Sequence, residues 1–454
     1  MSVFVDFNRP LRAIKPLHGF NNAARDTGYG ELLPAFAALK PPFIRLHDTG
    51  FNACLSKYVD VHNIFPDPSA DEEDERSYDF LLTDRYIEKL VEAGAQVIYR
   101  FGTTIEHEPK KYYIGPPDDF AKYARVCEHI VRHYNDGWAD GFRFGIKYWE
   151  IWNEPDGGPD CAQYGAPCWG GTPEQFYELY RLVSREVKGR HPGVKVGGYS
   201  SCFITGSFHK DRGCWLPDDA EFLNGFLKYI TAPETRSPLD FFTWHGYLGE
   251  NDTGKIERES AFVDETLRRY GFGDEVERFD TEWSCIIRGG QPVKGQEEVY
   301  LNMRTARAAA NYAAAMYTMQ NCRVDGACFY DAQLGVHYGP LFDFPSNLPT
   351  PAYYAFSQFG RLYGLGTQVE SSCADGGVYT LAAAGGDEKL LAAANIGDRP
   401  VSLEIRASGA DARVVKVFLC GDERGLRRVM TLDFSQNVRF TLPAGTFATF
   451  EFAQ

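Results

Sequence analysis

Two glutamates in this chain stand where a pair of carboxyl groups could act together. Glu154 closes Trp149-Glu150-Ile151-Trp152-Asn153-Glu154-Pro155, and Glu282 lies in Phe279-Asp280-Thr281-Glu282-Trp283-Ser284. Each ends a short apolar run and has aromatic or amide neighbours. Breaking a glycosidic bond requires a proton for a poor leaving group and stabilisation of an oxocarbenium-like carbon, and two carboxyls flanking that carbon supply both. At a separation of about 5–5.5 Å they serve as acid/base and nucleophile with retention; about 6.5–9.5 Å leaves room for a water and inverts. The competing reading of either glutamate, a structural salt bridge, is disfavoured by strand-end placement beside aromatic rings. Glu150 and Asp280 differ. Each lies two residues before a candidate, hence on the same side of its strand and deeper, and structural ion pairing is the expectation for both.

A scaffold must bring the two segments together. Short apolar runs at 16–21, 42–48, 95–102, 147–155, 194–200, 241–247, 276–284 and 326–331 alternate with amphipathic stretches at 29–39, 84–94, 118–134, 174–190, 219–231, 257–271 and 297–320, with an eighth at 351–363. Starts such as Thr172-Pro173-Glu174 and Pro117-Asp118-Asp119 carry a cap residue, a proline or an early acid. Eight strands each followed by a helix predict a (β/α)8 TIM barrel over 16–365. Asn21, His47, Asn153, Glu154, His245, Tyr247, Glu282 and Asp331 all fall at the C-terminal ends of these strands. Barrel enzymes build their sites on that face.

Beyond residue 366, runs such as KLLAAANIG, RVVKVFLCG and TFATFEFA alternate at strand period between Gly, Asp and Pro turns. They predict a β-sandwich over 366–454 that supports the barrel, and the segment 1–15 carries a strand that could join it. Residues 60–79 are acidic and contain proline; they read as a solvated, mobile surface loop, with a wall of the substrate pocket as the other reading, and their spacing matches no calcium loop. The formal charge of −15 argues against nucleic acid and against an anionic membrane surface. No run of about 18 apolar residues occurs, and no export-type apolar region follows Met1, so a cytoplasmic location is the expectation. Aromatic residues make up 15%, which suits rings lining a cleft or a ring-rich core. The eleven cysteines show no CxxC pair and no zinc-type spacing. Cys161 and Cys168 share one loop and could bridge; without an export signal the reduced form is expected. No metal or cofactor is implied, and association into a homo-oligomer stays open.

The Asn153-Glu154-Pro155 triplet closing the fourth strand, with a glutamate closing the seventh, resembles the large clan of retaining (β/α)8 glycosidases called clan A. Arg45-Leu46-His47 after the second strand, His245-Gly246-Tyr247 after the sixth and Thr281-Glu282 before an aromatic extend the resemblance to glycoside hydrolase family 39, which includes β-xylosidases and α-L-iduronidase. It covers essentially the whole chain. The resemblance implies an exo-acting, retaining hydrolase of an oligosaccharide or glycoside, with Glu154 as acid/base and Glu282 as nucleophile. It further implies that Asn153 hydrogen-bonds the sugar 2-hydroxyl, that His47, His245 and Tyr247 line the sugar site, and that Arg45 holds the nucleophile ionised. Trp283 and Tyr330 are expected substrate contacts; Trp152, Trp244 and Trp283 suit sugar stacking and core packing equally. His18 and His337 are further ligand candidates. The eighth strand departs from the xylosidase pattern: Phe329-Tyr330-Asp331-Ala332-Gln333-Leu334-Gly335 lacks the paired acids that grip the sugar, which leaves α-L-arabinopyranosides, α-L-iduronides and galactosides open beside β-D-xylosides. A barrel that only binds carbohydrate would normally lack one glutamate, and a metal-dependent hydrolase would need more His and Asp ligands at strand ends than His47 and His245 offer.

Overall fold

The computed structural model describes residues 1–24, 31–49, 58–106, 110–157, 168–202, 204, 207–209, 214–216, 220–287, 295–336, 338–374, 376–421, 425–435 and 437–454. The chain opens with β1 (Ser2–Ala13) and then alternates strand and helix: β2 (Gly19–Asn21), α1 (Leu33–Ala37), β3 (Phe43–Arg45), α2 (Val61–Ile64), α3 (Leu81–Glu92), β4 (Gln96–Phe101), α4 (Phe120–Asn135), β5 (Tyr148–Ile151), α5 (Pro173–Arg190) and β6 (Lys195–Ser201). A two-stranded excursion, β7 (Ser207–His209) and β8 (Cys214–Leu216), precedes α6 (Glu221–Thr231), β9 (Phe241–Gly249), α7 (Gly254–Arg269), β10 (Glu277–Ile286), α8 (Gln296–Asn302), α9 (Ala306–Asn321), β11 (Gly326–Phe329) and α10 (Pro351–Leu365). Strands β2–β6 and β9–β11 pair in parallel and close into a barrel, so all eight expected strands are present. The expected helix over 297–320 is two helices, because Thr305 caps a new start by accepting from the Ala308 N–H.

Alternation along each barrel strand decides what faces inward. Phe43, Ile98, Tyr148, Phe241, Phe279 and Cys328 plug one end as a single apolar cluster. Two residues further along, Arg45 and Glu150 point into the barrel above that plug and pair with each other. Asp280 departs from the expected pattern. The pairing register of β10 with β9 slips between Asp280 and Glu282, so Asp280 takes the Gly246 N–H at 3.1 Å and turns toward α7, where Lys255 and Glu259 act on it. A β-bulge re-aims side chains in this way, and it leaves Glu282 facing the barrel mouth.

Strands β12 (Thr367–Cys373), β13 (Val378–Gly385), β14 (Glu388–Asn395), β15 (Val401–Ser408), β16 (Val414–Cys420), β17 (Leu426–Asp433), β18 (Asn437–Leu442) and β19 (Thr446–Ala453) form one sheet with β1, which lies between β12 and β15. Its two wings fold over a shared core that includes Val3, Val5, Leu391, Leu403, Ile405, Val417 and Phe450. The other face of β13, β14 and β19 packs on the barrel: Leu381, Leu390, Ala392, Ala394 and Phe447 belong to the barrel's apolar core. Helix α9, ARAAANYAAAMYTMQN, lies beneath that face and is buried on nearly every side, as a helix enclosed by two layers must be.

The acidic stretch 60–79 lies at the surface, with Asp67, Asp71, Glu73, Glu75 and Asp79 exposed, and is anchored to the fold at a few points. Asp60 is buried and accepts from Arg100 Nη2 at 2.8 Å and from the Thr104 N–H at 2.8 Å. Tyr78 packs on Phe80 and edge-on to Trp138, and Glu72 pairs with Arg125 at 2.7 Å. Its acids therefore tie the stretch to α4 and to the turn after β4. Among the described residues, no helix is long and apolar enough to cross a membrane.

Candidate active site

Arg45 at the end of β3 organises the barrel mouth. Its Nε donates to Glu150 Oε2 at 2.6 Å, Nη1 to Asn21 Oδ1 and Glu282 Oε2 at 3.0 Å each, and Nη2 to Asn153 Oδ1 at 2.8 Å and Ser200 Oγ at 3.0 Å. All five N–H groups of the planar fork are used, joining the second strand to the first, fourth, fifth and seventh. Asn21 passes the constraint on by donating to the Thr281 carbonyl at 2.8 Å. Because Asn153 Oδ1 accepts from Arg45, the amide is oriented with Nδ2 as its donor, which lies 3.9 Å from Cys168 Sγ.

Glu154 follows β5 through a backbone turn in which Trp152 and Glu154 both have positive φ, 72° and 47°. That conformation is costly for residues with a Cβ, and here the Trp152 N–H to Phe101 carbonyl and Glu154 N–H to Ser200 carbonyl bonds hold it. His245 Nδ1 lies 2.6 Å from Glu154 Oε1, and its Nε2 lies 3.6 Å from Glu282 Oε2. Tyr247 Oη donates to Glu282 Oε1 at 2.5 Å. Glu154, His245 and Glu282 each offer an atom within 4.8 Å of the others, so the two carboxylates confront each other across the mouth. A divalent cation could reach the same three atoms, but the Arg45 guanidinium already supplies positive charge at Glu282.

Burial raises Glu154 to about 7, Asp48 adding to the rise while Arg45 and the thiols of Cys202 and Cys168 oppose it. Burial also raises Glu282, and there the repulsion from Glu154 adds, while His245, Arg45 and Tyr247 favour its charge. Burial likewise drives His245 down to about 4, so its ring is neutral near pH 7. For Arg45, burial is outweighed by Glu150 and Glu282, which hold the guanidinium above its ordinary range. Tyr247 is raised by burial and by the Glu282 charge and remains a donor.

Arg45, Asn153, Glu154, His245, Tyr247 and Glu282 thus meet at one mouth. His47 is buried beside them, its Nε2 3.4 Å from Asp48 Oδ1 and its ring 6.2 Å from that of Tyr330. Tyr330 donates to Asp48 Oδ2 at 2.9 Å and meets Tyr247 edge-on. Trp283, expected as a substrate contact, is not one. One residue beyond Glu282, it faces away from the mouth and packs fully buried against Phe329, Tyr312 and Phe356. Trp244 is also core, and Trp152 is held by Trp169 and by its Nε1 bond to the Cys168 carbonyl. His18 packs on Phe359 and Tyr363 beside the Lys40 carbonyl, away from the mouth. His337 and Cys161 lie outside the described residues. Sequence reasoning passed over Asp48, Ser200, Cys168 and Cys202; Asp48 adjoins His47 and Ser200 ends the fifth strand, which were available signals, whereas the thiols carried none.

Fold and site together define a class: (β/α)8 barrels that oppose two glutamates at the ends of their fourth and seventh strands. The chain belongs to glycosyl hydrolases family 39, whose family model matches residues 11–278. The match includes Glu154, His245 and Tyr247 and stops short of Glu282, which the barrel itself brings into place. Among curated proteins, the chain is 24% identical over 200 residues to a β-xylosidase from Geobacillus stearothermophilus, covering 41% of this chain and 34% of that one. It is 23% identical over 217 residues to a β-xylosidase from Caldicellulosiruptor saccharolyticus, covering 44% and 37%. The chain thus spans little more than a third of these relatives. Similar folds include a glucosidase from Croceicoccus marinus (TM-score 0.76, 22% identity, 100% of this chain and 98% of that chain). Another is a family 39 β-xylosidase from Caulobacter crescentus (TM-score 0.69, 17% identity, all of both chains).

Proposed function

We propose that this protein is a retaining exo-glycosidase that removes a non-reducing terminal sugar by double displacement, of β-xylosidase type. The observation that carries the reading is the approach of Glu154 and Glu282, with one oxygen of each carboxyl within 4.8 Å of the other, which supports the retaining spacing of about 5–5.5 Å over the wider inverting one. Glu154, protonated up to about pH 7, delivers its proton to the glycosidic oxygen. Glu282, paired with Arg45 and Tyr247, attacks the anomeric carbon and forms a glycosyl ester. Glu154 then takes a proton from the water that releases the sugar. Asn153, its Oδ1 fixed by Arg45, is the donor we assign to a sugar hydroxyl, the 2-hydroxyl in the family pattern.

The curated relatives are named β-xylosidases, which supports xylose. The eighth-strand segment without paired acids favours a second reading, the same chemistry on an α-L-arabinopyranoside, α-L-iduronide or galactoside. A panel of aryl glycosides decides the sugar, and NMR of the first-formed product decides the stereochemistry. We expect the retained anomer, undiminished by a chelator, and no turnover by Glu282→Ala. Glu154→Ala should spare activated leaving groups far more than unactivated ones, and azide should then yield a glycosyl azide of retained configuration. An inverted product removes Glu282 as nucleophile.

A further inference from the structure

His245 reaches both carboxyls at once. Nδ1 lies 2.6 Å from Glu154 Oε1, and Nε2 lies 3.6 Å from Glu282 Oε2 and makes no hydrogen bond among the described residues. The ring is buried, so each nitrogen faces one glutamate, and a neutral imidazole has a single N–H to place between them. On the double-displacement reading, Glu282 is the carboxylate and Glu154 the acid in the free enzyme. With the ring proton on Nε2, an N–H faces the Glu282 charge and the Glu154 O–H donates to Nδ1. The other tautomer would set a lone pair against that charge. In the glycosyl-enzyme the demands reverse: Glu282 is a neutral ester, and the ionised Glu154 requires a donor at Nδ1.

We propose that His245 is a positioning residue whose ring proton moves from Nε2 to Nδ1 when Glu282 passes from carboxylate to ester, and returns on hydrolysis. The inference rests on the double-displacement reading. In the first half-reaction the bond from the anomeric carbon to the leaving oxygen breaks, that oxygen takes the Glu154 proton, and a Glu282 oxygen bonds to the carbon. The ring keeps its count, since one proton passes from Nε2 to water and one arrives at Nδ1 from water. Attack by water breaks the ester, returns a proton to Glu154 and reverses the ring. The other charged groups acting on the ring are Arg45, Glu150 and Asp156, and Asp48 acts on Glu154. None of these takes part in bond making, so the tautomer follows the two glutamates. Through this coupling His245 favours the protonated form of Glu154 in the free enzyme and the ionised form in the intermediate, which is the order catalysis requires.

The test is nitrogen NMR of the full-length protein with labelled histidine, the His245 signals assigned by their loss in His245→Gln. In the free enzyme at pH 5.5 we expect Nε2 protonated and Nδ1 accepting. After trapping with the 2,4-dinitrophenyl 2-deoxy-2-fluoro glycoside of the sugar that the aryl-glycoside panel shows to be hydrolysed, with the adduct on Glu282 verified by mass spectrometry, the two signals should exchange character. A proton on Nδ1 in the free enzyme, or unchanged signals in the adduct, overturns the inference while leaving double displacement intact. Failure to form any adduct removes the double-displacement reading and this inference with it. A second readout is kinetic: a glutamine amide can turn to donate to ionised Glu154, so His245→Gln should move the basic limb of kcat/KM down by about one pH unit, the size of a hydrogen bond to a charged group. A merely structural histidine would lower the rate equally at all pH values, with no shift of that limb.

Discussion

Burial keeps the proton on Glu154 to about pH 7, and this one property bears on both rate and stability. On the proposed role of Glu154 as the acid, proton delivery needs its acid form, and kcat/KM should fall as pH rises through about 7. In the unfolded chain the same carboxyl titrates at its ordinary 4.5. Between those values the folded state binds the extra proton, and stability declines as pH rises. The penalty is absent below about 4.5, grows across the interval and is complete above 7. Glu154→Gln removes it, so the variant should gain Tm at pH 8 and gain little at pH 4.5 when the two are compared by calorimetry. Equal gains at both values would show that ionisation of Glu154 costs the fold nothing. The asymmetry marks Glu154 as a residue whose burial costs stability near neutrality, in contrast to Arg45, whose five hydrogen bonds anchor the barrel mouth.

The turns that follow the barrel strands hold the site residues, and Asp60 shows how. It joins the segment after β3 to the turn after β4 through Arg100 Nη2 and Thr104, and the same turn reaches the mouth where the Ile105 N–H meets Asp48 Oδ1. Asp60→Asn would leave Arg100, whose Nε and Nη1 make no hydrogen bond among the described residues, as an uncompensated buried cation, at a cost of about 3–5 kcal/mol. Urea unfolding measures this, and a loss below about 1 kcal/mol would mean that other contacts hold the turns. The sequence carried the elements well where period spoke clearly. Eight apolar runs gave eight strands, strand-end placement pointed to Asn153, Glu154, His245, Tyr247 and Glu282, and the family resemblance added Arg45. It failed where position depends on pairing. The slip between Asp280 and Glu282 is set by the neighbouring strand, so simple alternation wrongly placed Asp280 inside. Trp283 had two plausible sides until the barrel closed, and Asp48 enters the site through a backbone of positive φ, 53°, that an aspartate in sequence does not announce.

At the scale of the whole molecule, barrel and sheet share structure instead of merely touching. Gln320 on α9 donates to the Ala13 carbonyl at 3.0 Å and to Gln368 Oε1 at 2.9 Å, and accepts from the Lys15 N–H at 2.8 Å, tying α9 to the junctions of β1 and β12 with the barrel. Strand β14 divides its side chains between two cores: Leu390, Ala392 and Ala394 pack with the barrel, and Leu391 and Ala393 pack between the wings of the sheet. The small alanines of β14 and α9 let strand and helix approach closely, so removing the sheet would expose an apolar helix surface that the barrel cannot cover alone. Leu390 and Leu391 are both buried, at 2% and 0% exposure, and truncating either to alanine should cost about 2–5 kcal/mol. If the two cores unfold as one, both variants should lower a single calorimetric transition and lose hydrolysis of an aryl glycoside in step with it. Independent cores would behave differently in Leu391→Ala, where the sheet would melt first and leave a barrel that still turns over substrate. A second, lower transition with activity retained through it would therefore refute the shared core, and would assign the sheet to a role other than completing the barrel's fold.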